Sequence, residues 1–199
     1  MIDLFLKGGP MMWPILATSI VALTVALERI FFVFREATRR NSRQERDIIT
    51  LVEQGDIPSA TKLGSNSQDF VVRALIKALG HPSKFSATML AAASQELRRY
   101  SQRLTILDTI ITLAPLLGLL GTVTGMIRSF GMLGGAELGA PTAITGGIAE
   151  ALIATAFGLG VAITALLPFN YLNACEEKAR LALQDAASQV ELLLKEVVL

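Results

Sequence analysis

The sequence predicts an all-α integral membrane protein, with three transmembrane helices and long helical extensions into the cytoplasm. Composition is the first observation behind this: 52% of the 199 residues are hydrophobic and only 18% charged, and the mean hydropathy of +0.52 lies above that of soluble domains. Charge placement is the second, because it leaves three apolar stretches, each long enough to cross a hydrocarbon core of about 30 Å. The third is the spacing of Gly and Pro in the polar stretch after the first of these, which divides it into amphipathic helical pieces.

Several function classes are excluded at once. A formal net charge of +1 gives no global field for nucleic acid, so the useful charge information is where the basic residues cluster. A single cysteine, Cys175, rules out an internal disulfide framework, and the single histidine, His81, lies far from it in a polar stretch, so no metal cluster is expected. Ordinary packing or surface roles suffice for both.

Residues 1–13 read as a short periplasmic N-terminus. They lack a basic n-region, and no small-residue cleavage site follows a short apolar core, so the first apolar segment is expected to remain as an anchor. Span one is placed at 14–34: residues 8–27 are uncharged, and an apolar run resumes at 30–34 after Glu28 and Arg29. The polar segment 35–103 holds 12 of the 18 Lys and Arg residues, five of them (Arg35, Arg39, Arg40, Arg43 and Arg46) just beyond span one. That bias puts it in the cytoplasm. Turn signals at 55–58, 64–67 and 80–82 break it into helices.

Residues 83–114 contain neither Gly nor Pro, so one helix is expected from Ser86 to about Ser129, roughly 65 Å at 1.5 Å per residue. Its membrane part, span two, is 104–128, with one acid, Asp108, near its start. A short Gly-rich loop at 129–140 suits the periplasmic side, and span three follows at 141–172, with Glu150 and then an uncharged run over 151–175. Residues 173–199 form a cytoplasmic C-terminal helix, in which Ala179, Leu183, Ala186, Val190, Leu193 and Val197 repeat at spacings of four and three. Such a stripe needs a covering helix, either from the same subunit's cytoplasmic segment or from a neighbouring subunit.

Catalysis finds no support. The chain has no His, Cys and acid set that could meet in the membrane, and the glycines around Gly118 lack the Lys and the strand-turn-helix setting of a phosphate loop. Gly118, Gly121 and Gly125 of span two, with Gly146, Gly147 and Gly158 of span three, are spaced for close helix approach in lipid, within one chain or between chains.

Polar groups at membrane depth discriminate better, since they face protein or a wet cavity. Thr112, Thr122 and Ser129 fall on or near one side of span two, and Thr155 lies deep in span three. A lone Thr is commonly bonded to its own helix; here two adjoining helices each carry one, next to glycines and an acid. Glu150 would be costly unless paired, protonated or wet, which makes it a functional candidate. Five residues separate it from Thr155, a rotation of about 140°, so both cannot point down one lumen. Thr155 is assigned to the lumen and Glu150 to an interhelical or mouth position. Glu28, Arg29 and Asp108 read as interfacial anchors and ion-pair partners. No acid lies at the middle of a span, so an ion-carrying acid is expected on another polypeptide.

The run APLLGLLGTVTGMIRSF at 114–130 resembles the span-two signature of the MotA/TolQ/ExbB proton channel family. GIAEALIATAFGL at 147–159, followed by Ala162, Ile163 and Asn170, is similar to its span three, and Pro14, Ser19 and the Glu28-Arg29 pair add weaker likeness in span one. The basic bias of 35–103, with three spans, places the N-terminus in the periplasm and the C-terminus in the cytoplasm, and the resemblance implies a homopentameric ring in the bacterial inner membrane. It implies a central pore, lined by spans two and three, around the helices of an ExbD- or TolR-like single-span partner that carries the ion-binding Asp. Thr122 and Thr155 match the family's pore threonines and Glu150 its span-three glutamate. It also implies no bound cofactor, H+ as coupling ion with Na+ left open, and work passed to a TonB- or TolA-like transducer. Thr124 departs from the pattern, standing where several ExbB and TolQ relatives have Trp, and three spans set the chain apart from the four-span flagellar stator subunit. Two other readings stay open on the residues alone: a self-sufficient ion channel or transporter, and a non-conducting membrane scaffold.

Overall fold

A computed structural model describes residues 2–133 and 141–197, with side chains at 5–131 and 145–194. Every element among them is helical: α1 (Ile2–Lys7), α2 (Met12–Thr38), α3 (Ser42–Glu53), α4 (Ile57–Gly64), α5 (Phe70–Leu79), a short 3-10 turn (Pro82–Lys84), α6 (Phe85–Ser101), α7 (Leu104–Leu133) and α8 (Pro141–Val197). Three helical stretches are long and apolar enough to cross a membrane. The protein is thus an all-α membrane protein. The described residues fall into two compact units, Met1–Glu28 with Arg103–Asn170 and Arg29–Gln102 with Tyr171–Leu199.

In the first unit, Met12, Ile15, Leu107, Ala114, Ala151, Ala154 and Ala165 are buried, and small side chains dominate where α7 and α8 meet. Large apolar side chains point outward instead, among them Leu116, Leu119, Ile127, Leu152, Ile163 and Leu167, as lipid or another protein surface requires. Pro115 lies inside α7, a position tolerated in membrane helices because neighbours re-satisfy the freed backbone groups. The turn before α2 has Gly9 at φ +72°, left-handed backbone that suits glycine. At its C-terminal end α7 continues to Leu133, past the expected start of the loop at Ser129; residues 134–140 of that loop lie outside the described residues.

In the second unit, seven of the ten residues of α5 are buried, which makes it the centre around which α3, α4 and α6 pack. Helices α3, α4 and α5 each start at a side-chain cap: Asn41 accepts from the Gln44 amide at 3.1 Å, Asp56 from that of Ser59 at 3.1 Å, and Asp69 from that of Val71 at 2.8 Å. Helix ends at Glu53, Gly64 and Leu79 coincide with the turn signals. A charged network threads the same unit. The Arg73 guanidinium reaches Glu96 at 2.6 Å and Glu36 at 3.0 Å, while Arg99 reaches Glu96 at 2.9 Å. Burial would raise the Glu96 carboxyl, but bonds from Arg73 and Arg99 outweigh it and hold the group below its ordinary value. Arg40 bonds Asp69 at 2.6 Å and Glu45 at 2.5 Å. Tyr100 packs edge-on against Phe32 and Phe70, and burial pushes its phenol up.

Two expectations change. The helix expected to run unbroken from Ser86 to Ser129 is two helices, α6 and α7, parted at Gln102 and Arg103, where Arg103 takes φ 65°. A left-handed arginine costs about 1 kcal/mol, and no Gly or Pro marks it in the sequence. In the C-terminal stripe Ala179, Leu183, Ala186 and Val190 are buried as expected, but the next buried residue is Leu194, with Leu193 only half-buried. A straight helix of 3.6 residues per turn drifts away from a strict 3.5 repeat, and here the drift moves the stripe by one residue. These residues are buried within one chain, so the covering surface is the chain's own; the Val197 side chain lies outside the described ones.

Candidate functional site

The site is the contact between α7 and α8 in the first unit. Its glycines are there because backbone meets backbone. A Cβ on Gly158 would lie 2.5 Å from the Ala114 carbonyl oxygen and 3.1 Å from the Gly118 Cα; one on Gly118 would lie 2.9 Å from the Thr155 Cα. One on Gly121 would meet the Ala154 Cβ at 2.6 Å, and one on Gly125 the Ala151 Cβ at 3.0 Å and the Gly147 carbonyl at 3.1 Å. Gly118, Gly121, Gly125 and Gly158 therefore form one continuous seam inside a single chain. Of the two uses left open for these small residues, the intramolecular one accounts for all four.

One hydroxyl stitches the seam. Thr155 Oγ1 donates to the Gly118 carbonyl across the two helices at 2.9 Å, and its side chain is half-buried. Within the chain the Thr155 hydroxyl is therefore committed to α7. Thr122 donates to the Leu119 carbonyl of its own helix at 2.6 Å, and Thr124 to that of Leu120 at 2.9 Å. Ser129 is buried and donates to the Gly125 carbonyl at 2.9 Å, its hydroxyl filling the place a Cβ on Gly147 would take. Thr112 is exposed and bonded to its own helix.

Glu150 stands between the helices. Its Oε1 accepts from Arg128 of α7 at 3.0 Å, and its carboxyl packs so closely on Gly9 that a Cβ there would fall on it. The structure therefore gathers Glu150, Arg128 and the turn before α2 at one end of the seam, and Thr155 further along it. Residue types alone did not disclose Arg128 or Gly9 as partners. A signal existed for Arg128: it is the one basic residue between Arg103 and Lys178, set among apolar neighbours, and the reasoning applied to Glu150 holds equally for it.

The boundary residues part company. Glu28, exposed, pairs with Arg103. Arg29 is buried and donates to the Arg99 and Tyr100 carbonyls at 2.6 Å each, with its guanidinium 4.4 Å from the Phe32 ring centroid, so it anchors helices rather than an interface. Asp108 is exposed, and its carboxylate has no ion-pair partner among the described residues. Among the described residues no group of His, Cys, Asp or Glu is placed to hold a metal.

The arrangement can hold a rigid helix pair, present hydroxyls along it and keep one charge pair at its end. It has no nucleophile with a base. Comparison with known proteins agrees in kind. Over 205 residues the chain is 39% identical to the biopolymer transport protein ExbB-like 1 of Synechocystis sp., covering 99% of this chain and 80% of that one. It is 33% identical to ExbB-like 3 of the same organism, over 94% of this chain and 92% of that one. The Tol-Pal system protein TolQ of Haemophilus influenzae is 40% identical over 85 residues, 43% of this chain and 37% of its own. Residues 64–185, which hold the whole seam, match the MotA/TolQ/ExbB proton channel family, and to that family the chain belongs.

Proposed function

We propose that the chain is the ring subunit of a proton-driven motor of the cell envelope, ExbB- or TolQ-like, that surrounds the transmembrane helices of a single-span partner. Membership of the family makes it a multi-pass inner-membrane, stator-type subunit of an energy-transducing complex, and not an enzyme. The finer reading adds a homopentamer, an ExbD- or TolR-like partner whose Asp carries the ion, H+ as that ion, and a TonB- or TolA-like transducer that receives the work. The N-terminus is periplasmic and the C-terminus cytoplasmic, as the basic residues of 35–103 favour.

The observation that carries this reading is the glycine seam with its cross-helix hydroxyl bond, Thr155 to Gly118, inside the family-matched region. A seam closed by backbone contact moves as one body, which is what a ring wall under load needs. Thr122, Thr155 and Glu150 then supply polar positions along a path for the partner's aspartate. The test is co-purification with a candidate single-span partner, followed by proton uptake in vesicles. Recovery of an oligomer with the partner, and loss of uptake in Thr155→Val, is expected. A monomer that captures no partner and works unchanged as Thr155→Val overturns the reading; flux through vesicles holding this chain alone would favour a self-sufficient channel, and a sodium requirement would replace the proton as coupling ion.

A further inference from the structure

Glu150 does not stand alone at the end of the seam. Three elements converge on its carboxyl: its own helix α8, Arg128 from α7 at 3.0 Å, and the turn before α2, where Gly9 at φ +72° leaves the space the carboxyl occupies. The neighbouring residues of that turn are tied into the same place. A Cβ on Gly8 would lie 3.0 Å from Ile153 of α8, Met11 lies 3.5 Å from the position of a Cβ on Gly121, and Met12 is buried at 1% exposure. The turn itself is fixed by the Met12 amide bonding the Gly9 carbonyl at 3.1 Å and the Gly8 amide bonding that of Phe5 at 3.1 Å.

Surface ion pairs count for little because water screens them, and Arg128 and Glu150 are 49% and 24% exposed in the isolated chain. Both, however, lie within stretches read as membrane-spanning, where bulk screening is weak and an unpaired charge is costly. Each therefore depends on the other. We propose that Arg128 is the positioning residue for Glu150, and that with the Gly8-Gly9 turn it forms a latch through which the N-terminal segment controls where that carboxylate points. Loss of any one part frees the other two. The control of an ion path by this latch rests on the motor reading above; the latch itself does not.

The experiment has two arms, both on the full chain. The first follows hydrogen exchange of the amides at 8–13 in lipid nanodiscs. Arg128→Gln speeds their exchange roughly tenfold, as expected when a coupled contact is lost, and Gly9→Ala does the same with Arg128 intact. Arg128→Lys, which keeps the charge but not the planar fork, restores most of the protection. Unchanged exchange in Arg128→Gln and Gly9→Ala overturns the latch, whatever the motor does.

The second arm measures proton uptake by vesicles holding the chain with its co-purified partner. Arg128→Gln and Glu150→Gln each lower uptake roughly tenfold, and the double variant is no worse than the weaker single, because both remove one unit. Losses that multiply would show two independent residues and overturn the positioning role. A wild-type complex that takes up no protons refutes the motor reading alone, with the exchange arm still deciding the latch.

Discussion

Gly158→Ala tests the seam most directly, because the added methyl would meet only backbone. Its Cβ would lie 2.5 Å from the Ala114 carbonyl oxygen, 3.1 Å from the Gly118 Cα and 3.2 Å from the Gly118 amide nitrogen, where ordinary contact begins at 3.4 Å. No side chain can swing away, so α7 and α8 must part by about 0.9 Å, the gap between 2.5 and 3.4 Å. Overpacking of this kind costs about 1–3 kcal/mol. Parting the helices also stretches the Thr155–Gly118 bond, and bonds of this type in membrane proteins contribute about 0.6 kcal/mol. Against this, alanine is a better helix former by about 1 kcal/mol. The net expectation is a destabilisation of about 0.6–2.6 kcal/mol. Gly160, two residues away on the same helix, has nothing within 4 Å of a Cβ, so Gly160→Ala should gain up to about 1 kcal/mol from propensity alone. Unfolding in mixed micelles by rising SDS, followed by circular dichroism, compares the two. The reasoning requires shifts of opposite sign; equal midpoints for the two variants would refute it.

Further outcomes follow from the bonds described. Thr155→Val should lose about 0.6–1.7 kcal/mol in the same assay, with Thr155→Ser retaining most of it, because only the hydroxyl crosses the seam. Thr122→Val should stay within about 0.5 kcal/mol of wild type, since its hydroxyl returns to its own helix, and yet lower proton uptake if the motor reading holds. Asp69→Ala removes the α5 cap and leaves Arg40 and the Asn41 amide without their buried acceptor, so thermal unfolding should show a loss of about 3 kcal/mol, with Asp69→Asn milder because it retains a capping oxygen. The depressed Glu96 carboxyl fixes a sign for pH. Its contribution is complete above the ordinary glutamate value of 4.5 and is lost as pH falls below it through the lower folded value. Thermal midpoints measured from pH 6 to pH 3 should fall less steeply in Glu96→Gln than in wild type.

What the residues disclosed, and what they withheld, divides along a physical line. Spans were legible because lipid imposes one rule on a whole stretch, and the caps Asp56 and Asp69 lie in or beside stretches that the turn signals mark. Hidden were the facts that depend on which two helices touch. Nothing local marks Arg103 as left-handed, because its conformation is set by the ends of two helices and helped by its pair with Glu28. Thr155 could be placed at depth, but the identity of its acceptor, the Gly118 carbonyl, follows only from the approach that Gly158 and Gly118 permit.

Arg128 is the most instructive miss, because the principle that would have found it was already in use. A charge inside an apolar stretch demands a partner, and the rule that singles out Glu150 applies equally to Arg128, which stands at the end of span two in the sequence. The helix itself runs past that position, since α7 continues to Leu133. Once Arg128 lies inside the helix, two opposite charges on adjoining apolar helices are each other's most economical solution, and the 3.0 Å pair between them follows. Gly9 then has a reason as well. Left-handed backbone and a missing side chain are both needed where the chain turns against that pair, so the N-terminal segment is built to the shape of a carboxylate 141 residues further along the chain, at Glu150.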